Sequence, residues 1–116
     1  MKTADGTVEG AIFIDLSAAL YLGGGLIMMP EAALCDMLSQ GEVSEAVLDG
    51  LSEIFNNLRG LMNRINMNPH VSPTDPVAYE PPADDAPEAW ILDSTKRVDL
   101  RGQTAFGPST ITLVGR

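Results

Sequence analysis

Between Val47 and Ile65 the apolar residues return at a spacing that a helix with one face on a core satisfies. At roughly 100° per residue, Val47, Leu51, Ile54, Phe55, Leu58, Leu61, Met62 and Ile65 form a broad stripe. Asp49, Glu53, Asn56 and Gly60 fall on the opposite side within a sector of about 60°. The pattern predicts Leu51, Ile54, Phe55 and Leu58 buried, with the Glu53 carboxylate and the Asn56 amide pointing outward. Glycine inside such a helix costs about 1 kcal/mol against alanine. Close approach of another molecule to the face carrying Glu53 and Asn56 is one reason to keep Gly60 there. Polar residues on the wet face of an amphipathic helix are also routine, and periodicity does not choose between the two readings.

The flanking elements follow from local chemistry. Val8 to Ile14 is rich in β-branched and aromatic residues and reads as a strand. Asp15 or Ser17 then caps a helix running to about Met29, where Pro30 stops it or starts the next. Glu31 to Ser39 is a short amphipathic helix ended by Gly41. Ser44 caps the long helix, Glu45 suits the positive end of its dipole, and Asn66, Asn68 and Pro69 terminate it. Beyond His70 the texture becomes β. Val71 to Tyr79 is extended, with Pro73 and Pro76 confining any pairing to an edge or bulge. Residues 80–89 are proline-rich and acidic and read as an exposed loop. Trp90 to Asp93, Arg97 to Arg101 and Thr110 to Val114 are strand candidates. In the second of these, Val98 and Leu100 alternate with Arg97, Asp99 and Arg101, as in a sheet with one wet face. The last has the character of a strand left unpaired in a monomer, which suggests pairing of two copies through a strand edge or a helix face.

This order predicts an α/β (α+β) fold, with helices packed on a mostly antiparallel sheet, in a single domain over residues 1–116. The formal net charge of −9 and the scatter of seven basic residues argue against nucleic acid as a partner. Acidity serves solubility and helps steer a partner with a basic rim. Cys35 is the only cysteine, which excludes an internal disulfide and suits a reducing cytoplasm. The first residues lack the basic and apolar blocks of a signal peptide. The apolar region Ala18 to Met29 is too short to insert across a membrane.

Three further features carry less. Gly23-Gly24-Gly25 is followed by no Gly-Lys-Ser or Gly-Lys-Thr and lies in an apolar helix pattern, so it reads as packing rather than a phosphate loop. His70, the only histidine, reads as a surface residue in a loop. Asp84 and Asp85 lack the alternating ligands and central glycine of a Ca²⁺ loop and read as a solvated acidic stretch.

Glu53-x-x-Asn56-x-x-x-Gly60 on such a helix, with Asp49 four residues before the Glu, resembles the signature of the CheC, CheX and FliY family of bacterial chemotaxis phosphatases. Upstream, Gly10 to Asp15 and Ser17 to Pro30 are similar to the strand and first helix of these domains, so the resemblance spans roughly residues 8 to 79. One motif copy is present, as in a CheX-like domain. Where the family motif carries a later proline this chain has Tyr79, with Pro73 and Pro76 earlier and Pro81 after it.

The resemblance implies a cytoplasmic hydrolase of two-component signalling, acting on the aspartyl phosphate of a CheY-like response regulator. Asn56 would orient the attacking water in the partner's site, and Glu53 would anchor through a charged contact, with Asp49 and Gly60 in the contact face. No cofactor would be bound by this chain, and Mg²⁺ would be held by the regulator. The competing expectation is a non-catalytic scaffold or dimerisation module of the same fold in chemotaxis, motility or two-component signalling, which the position of Tyr79 favours and the Glu and Asn oppose. For a small-molecule binding domain of unrelated lineage the sequence holds no constellation.

Overall fold

The computed structural model describes residues 1–67, 69–78 and 89–115. The predicted strand is β1, Gly10–Ile14. Asp15 then turns the chain, and its side chain joins two distant elements. Its Oδ1 accepts from the Ala18 N–H at 3.0 Å, capping α1, and its Oδ2 accepts from the Thr110 N–H at 2.8 Å. The first helix, α1, runs Leu16–Ala19 and widens into a π turn at Leu20–Gly24 before ending at Leu26. It stops short of the expected Met29, so Leu26, Ile27 and Met28 are exposed.

The second helix, α2, is Glu31–Gln40, closed by Gly41 at φ 68°. The long helix, α3, is Glu45–Met62, with the Ser44 hydroxyl accepting from the Val47 N–H at 3.4 Å. It ends before Asn66, because Asn63 diverts its side chain to the chain that follows. Asn63 Nδ2 donates to the Val71 carbonyl and Oδ1 accepts from the Val71 N–H, each at 3.0 Å. With no further turn, Leu61 and Ile65, assigned to the buried stripe by spacing, stand exposed.

After α3, Ser72 makes one bridge to Lys2 and no longer strand forms among the described residues, as Pro73 and Pro76 require. Residues 79–88, which hold Tyr79, Pro81, Asp84, Asp85 and nearly all of the expected acidic loop, lie outside the described residues, as does Asn68. Trp90 to Asp93 belongs not to a strand but to a helical turn, α4, Ala89–Asp93. So short an apolar run has no decisive period. The adjoining β2–β3 ladder begins at Arg97↔Val114, and before it the Ser94 hydroxyl donates to the Gly115 carbonyl at 2.8 Å.

Strands β2, Arg97–Thr104, and β3, Gly107–Gly115, form an antiparallel hairpin, and the sheet order is β1-β3-β2. The registers run Gly10↔Gly115 to Ile14↔Ile111 and Arg97↔Val114 to Thr104↔Gly107. Two corrections follow. The Thr110 to Val114 segment is paired on both sides and is the centre of the sheet, because the charged β2 takes the edge where its side chains stay wet. On β2 the alternation of Val98 and Leu100 with charged residues buries neither set: both are 54% exposed.

Helices packed on an antiparallel sheet make this an α+β fold. The core has two centres. Ala19, Leu51 and Phe55 pack beneath Ile12 and Ile14 of β1, and Leu20, Leu34 and Val47 join α1, α2 and α3. Where α1 crosses α3, a Cβ on Gly23 would lie 2.5 Å from the Val47 carbonyl oxygen, and one on Gly50 would strike the Gly23 carbonyl. Gly24 abuts the Leu34 side chain, so Gly23 and Gly24 are packing positions, as expected, whereas a Cβ on Gly25 would meet nothing within 4 Å.

Candidate functional site

The cap at Ser44 sets the start of α3, and its apolar stripe sets its rotation. Val47, Gly50, Leu51 and Phe55 are buried, while Ile54 and Leu58 are half-buried at the margins. Asp49, Glu53, Asn56 and Gly60 are all exposed. The polar side chains of this sector therefore stand on a rigid element whose opposite face is locked in the core.

Glu53 and Asn56 are three positions apart on the helix, which makes them neighbours with Cβ atoms about 5–6 Å apart. Among the described residues, neither they nor Asp49 have a hydrogen-bonding or ionic partner within the chain. Asp49 and Glu53 are a like-charged pair at i,i+4, an arrangement that costs a helix a few tenths of a kcal/mol, roughly 0.2–0.5. Gly60 is similar in kind. A Cβ there would meet nothing within 4 Å, so no packing contact among the described residues accounts for the glycine. The sector is thus organised at a small cost to the helix and without an internal use among the described residues.

The chemistry available is that of a carboxylate and an amide. The amide donates and accepts hydrogen bonds, and the carboxylate only accepts. Neither is a nucleophile held by a base, and the arrangement suits completing a site that a second molecule brings. His70 is exposed and distant in sequence from this face. Among the described residues, no group of three His, Cys, Asp or Glu side chains is placed to hold a metal ion. Cys35 is exposed.

Sequence reasoning missed two features. One is a polar cluster where α1 meets the β2–β3 turn. The Ser17 hydroxyl donates to the Pro108 carbonyl at 2.7 Å and lies 2.9 Å from Ser109 Oγ, which is 3.1 Å from Thr104 Oγ1. Ser17 and Ser109 are buried, and these bonds satisfy them. The other is an open apolar groove of about 560 Å³ beside α3, walled by Tyr21, Leu26, Met29, Ile54 and Phe106 with Glu31 at its edge. A signal for it existed: Leu20 to Met29 is apolar on more sides than one buried face can use.

No helix among the described residues is long and apolar enough to cross a membrane. Compared with protein-family models, with curated proteins and with solved structures, the chain matches none.

Proposed function

We propose that this chain accelerates hydrolysis of the aspartyl phosphate of a CheY-like response regulator, with Asn56 and Glu53 acting in the regulator's site. The observation that carries the reading is the outward projection of Glu53 and Asn56, without partners among the described residues, from one face of a helix anchored on its other side. The resemblance of Glu53-x-x-Asn56-x-x-x-Gly60 to the CheC and CheX signature supplies the reaction class.

The residue types suit that reaction. An acyl phosphate needs little covalent help to hydrolyse, only a water held in line with the breaking P–O bond and compensation for charge on the phosphoryl oxygens. An amide inserted beside the phosphoryl group accepts from the water and fixes its approach, while the regulator's Mg²⁺ takes up the developing charge. Glu53 faces a cation on the partner, in keeping with the regulator's own lysine, and contributes to docking. Gly60 keeps the contact face low one turn further along.

The second reading is a scaffold or pairing module of the same fold, favoured by Tyr79 where the family motif has a proline. Pairing of two copies through the sheet would use β1 or β2, since β3 is interior.

The test follows decay of a phosphorylated CheY-like regulator with and without the protein, across candidate regulators from one genome. Asn56→Ala is expected to remove the acceleration while leaving binding within about twofold, because its interaction is made mainly in the transition state. Glu53→Lys is expected to weaken binding itself. A wild-type protein that binds a regulator without changing its decay rate selects the scaffold.

A further inference from the structure

We propose that two copies of this chain join edge to edge through β2, antiparallel about a two-fold axis at Leu100, into one continuous sheet. The inference holds whichever reading of α3 is right, since Glu53 and Asn56 lie on another element. The first observation is an open ladder. The Gly115 N–H donates to the Lys96 carbonyl at 2.8 Å, which fixes the phase of the β2–β3 pairing. Bonding groups of successive residues alternate in direction along a strand, so Val98, Leu100, Gly102 and Thr104 bond to β3. Arg97, Asp99, Arg101 and Gln103 turn their backbone N–H and C=O groups to the outer edge, where none has a backbone partner among the described residues. The other edge, β1, is half-buried and carries no charged side chain, and Met1 lies along its start, its carbonyl accepting from the Glu9 N–H at 3.0 Å.

The second observation is the side chains along that edge. Rows cross the sheet as Ile12, Leu113, Val98 and as Ile14, Ile111, Leu100. Ile12 and Ile14 pack in the core against the helices, whereas Val98 and Leu100, at the other end of each row, are exposed. Gly102 follows on the same face. A Cβ there would meet nothing within 4 Å, so no contact among the described residues requires a glycine inside this strand. On the opposite face Arg97 pairs with Asp99, while Arg101 makes no hydrogen bond or ion pair among the described residues.

The strand is complementary to itself, which makes a second copy its occupant. A two-fold axis at Leu100 sets Asp99 opposite the partner's Arg101 and Arg101 opposite the partner's Asp99, in the hydrogen-bonded pairs that the open backbone groups require. Leu100 then meets its own counterpart, and Val98 faces the partner's Gly102, whose missing side chain leaves room for close approach. An axis at Asp99 or Arg101 would set like charges opposite each other. One at Val98 or Gly102 would run part of the charged stretch past the end of the partner's strand. Charged side chains ordinarily keep an edge from pairing. Here their alternating sign makes one alignment attractive and the neighbouring ones repulsive or short.

One strand pair is a small interface, so association is weak and the edge stays open in dilute solution. Sedimentation equilibrium of the full chain, carried up to about 500 μM, is expected to show monomer passing to dimer. Over the same range the amide hydrogens of Arg97, Asp99, Arg101 and Gln103 should gain protection from exchange, while those of Val98, Leu100 and Gly102 are protected throughout. Arg101→Asp and Asp99→Arg should each weaken self-association at least about tenfold, and the two variants, mixed, should pair with each other. Oxidation reads the register. In a Cys35→Ser background, Leu100→Cys should form an intermolecular disulfide under glutathione disulfide, because opposed residues of a non-hydrogen-bonded pair lie within bonding reach. Val98→Cys should not. A monomer at every concentration overturns the proposal. So does a dimer in which those four amides gain no protection, self-association unchanged in both charge variants, or a Val98→Cys chain that cross-links as readily as Leu100→Cys.

Discussion

The α1–α3 crossing and the β2 strand are held by opposite means. At the crossing, backbone meets backbone: Gly23 and Gly50 leave no room for even a methyl group, and Val47 beside them is fully buried. Along β2 there is almost no burial at all, and the strand is held by its ladder to β3 and by polar side chains. Thr112 donates to Asp99 Oδ1 at 2.6 Å, and Arg97 pairs with the same carboxylate at 3.1 Å. The difference shows that stability in this small fold is concentrated in the helical layer, while the sheet edge is specified by hydrogen bonding and tolerates change.

The largest effect expected from that contrast is at Gly50. Gly50→Ala forces the crossing apart against a backbone carbonyl that cannot yield, and should lower the free energy of unfolding by roughly 3 kcal/mol, read from urea denaturation. A loss under about 1 kcal/mol would mean the two helices slide easily and the contrast is overstated. Next in size is Gly60, on the same helix but facing open space. Gly60→Ala should stabilise by about 1 kcal/mol through helix propensity alone, and on the phosphatase reading it should weaken partner contact. Smaller still, Val98→Thr and Leu100→Thr together should shift stability by no more than about 0.5 kcal/mol, since both side chains are already wet. A larger loss would show that this face is covered in the folded chain.

The smallest expected effect is in titration. The Thr112 hydroxyl, followed by Arg97, holds the Asp99 carboxyl below its ordinary 3.8. Its favourable contribution is therefore complete above that value and is lost as the pH falls through the lowered one. Thr112→Val should return the Asp99 value toward 3.8 in an NMR titration, with a small loss of stability that is present near neutrality and vanishes as the pH falls through the lowered value. An unmoved value would assign the shift to Arg97.

What was legible in the sequence divides along the same line. Gly41 and Ser44 were readable as caps, and the cap of α1 was narrowed to Asp15 or Ser17, because a cap is decided by its nearest few residues. The outward sector of α3 was readable because one strong period spans it. The end of α3 was not, since Asn63 leaves the helix for Val71, a contact no local pattern announces. Nor was the burial of β2, whose alternation described a sheet with one wet face when both faces are wet. The central place of β3 was hidden for the same reason: strand order is settled by partners distant in sequence. The groove was missed because Leu26 to Met29 looked like more of α1, and only the early end of that helix exposes Leu26, Ile27 and Met28.

The pairing of β1 with β3 has a consequence for how the chain is made. At about 5–20 residues per second of synthesis, Ile14 emerges some 5–20 seconds before its register partner Ile111. Over that interval α1, α2 and α3 can pack through contacts that are close in sequence, while β1 waits with both edges open. Closing the sheet is then a late step that draws in a strand from the far end of the chain, which makes the waiting β1 the segment most exposed to mispairing with a neighbouring nascent chain.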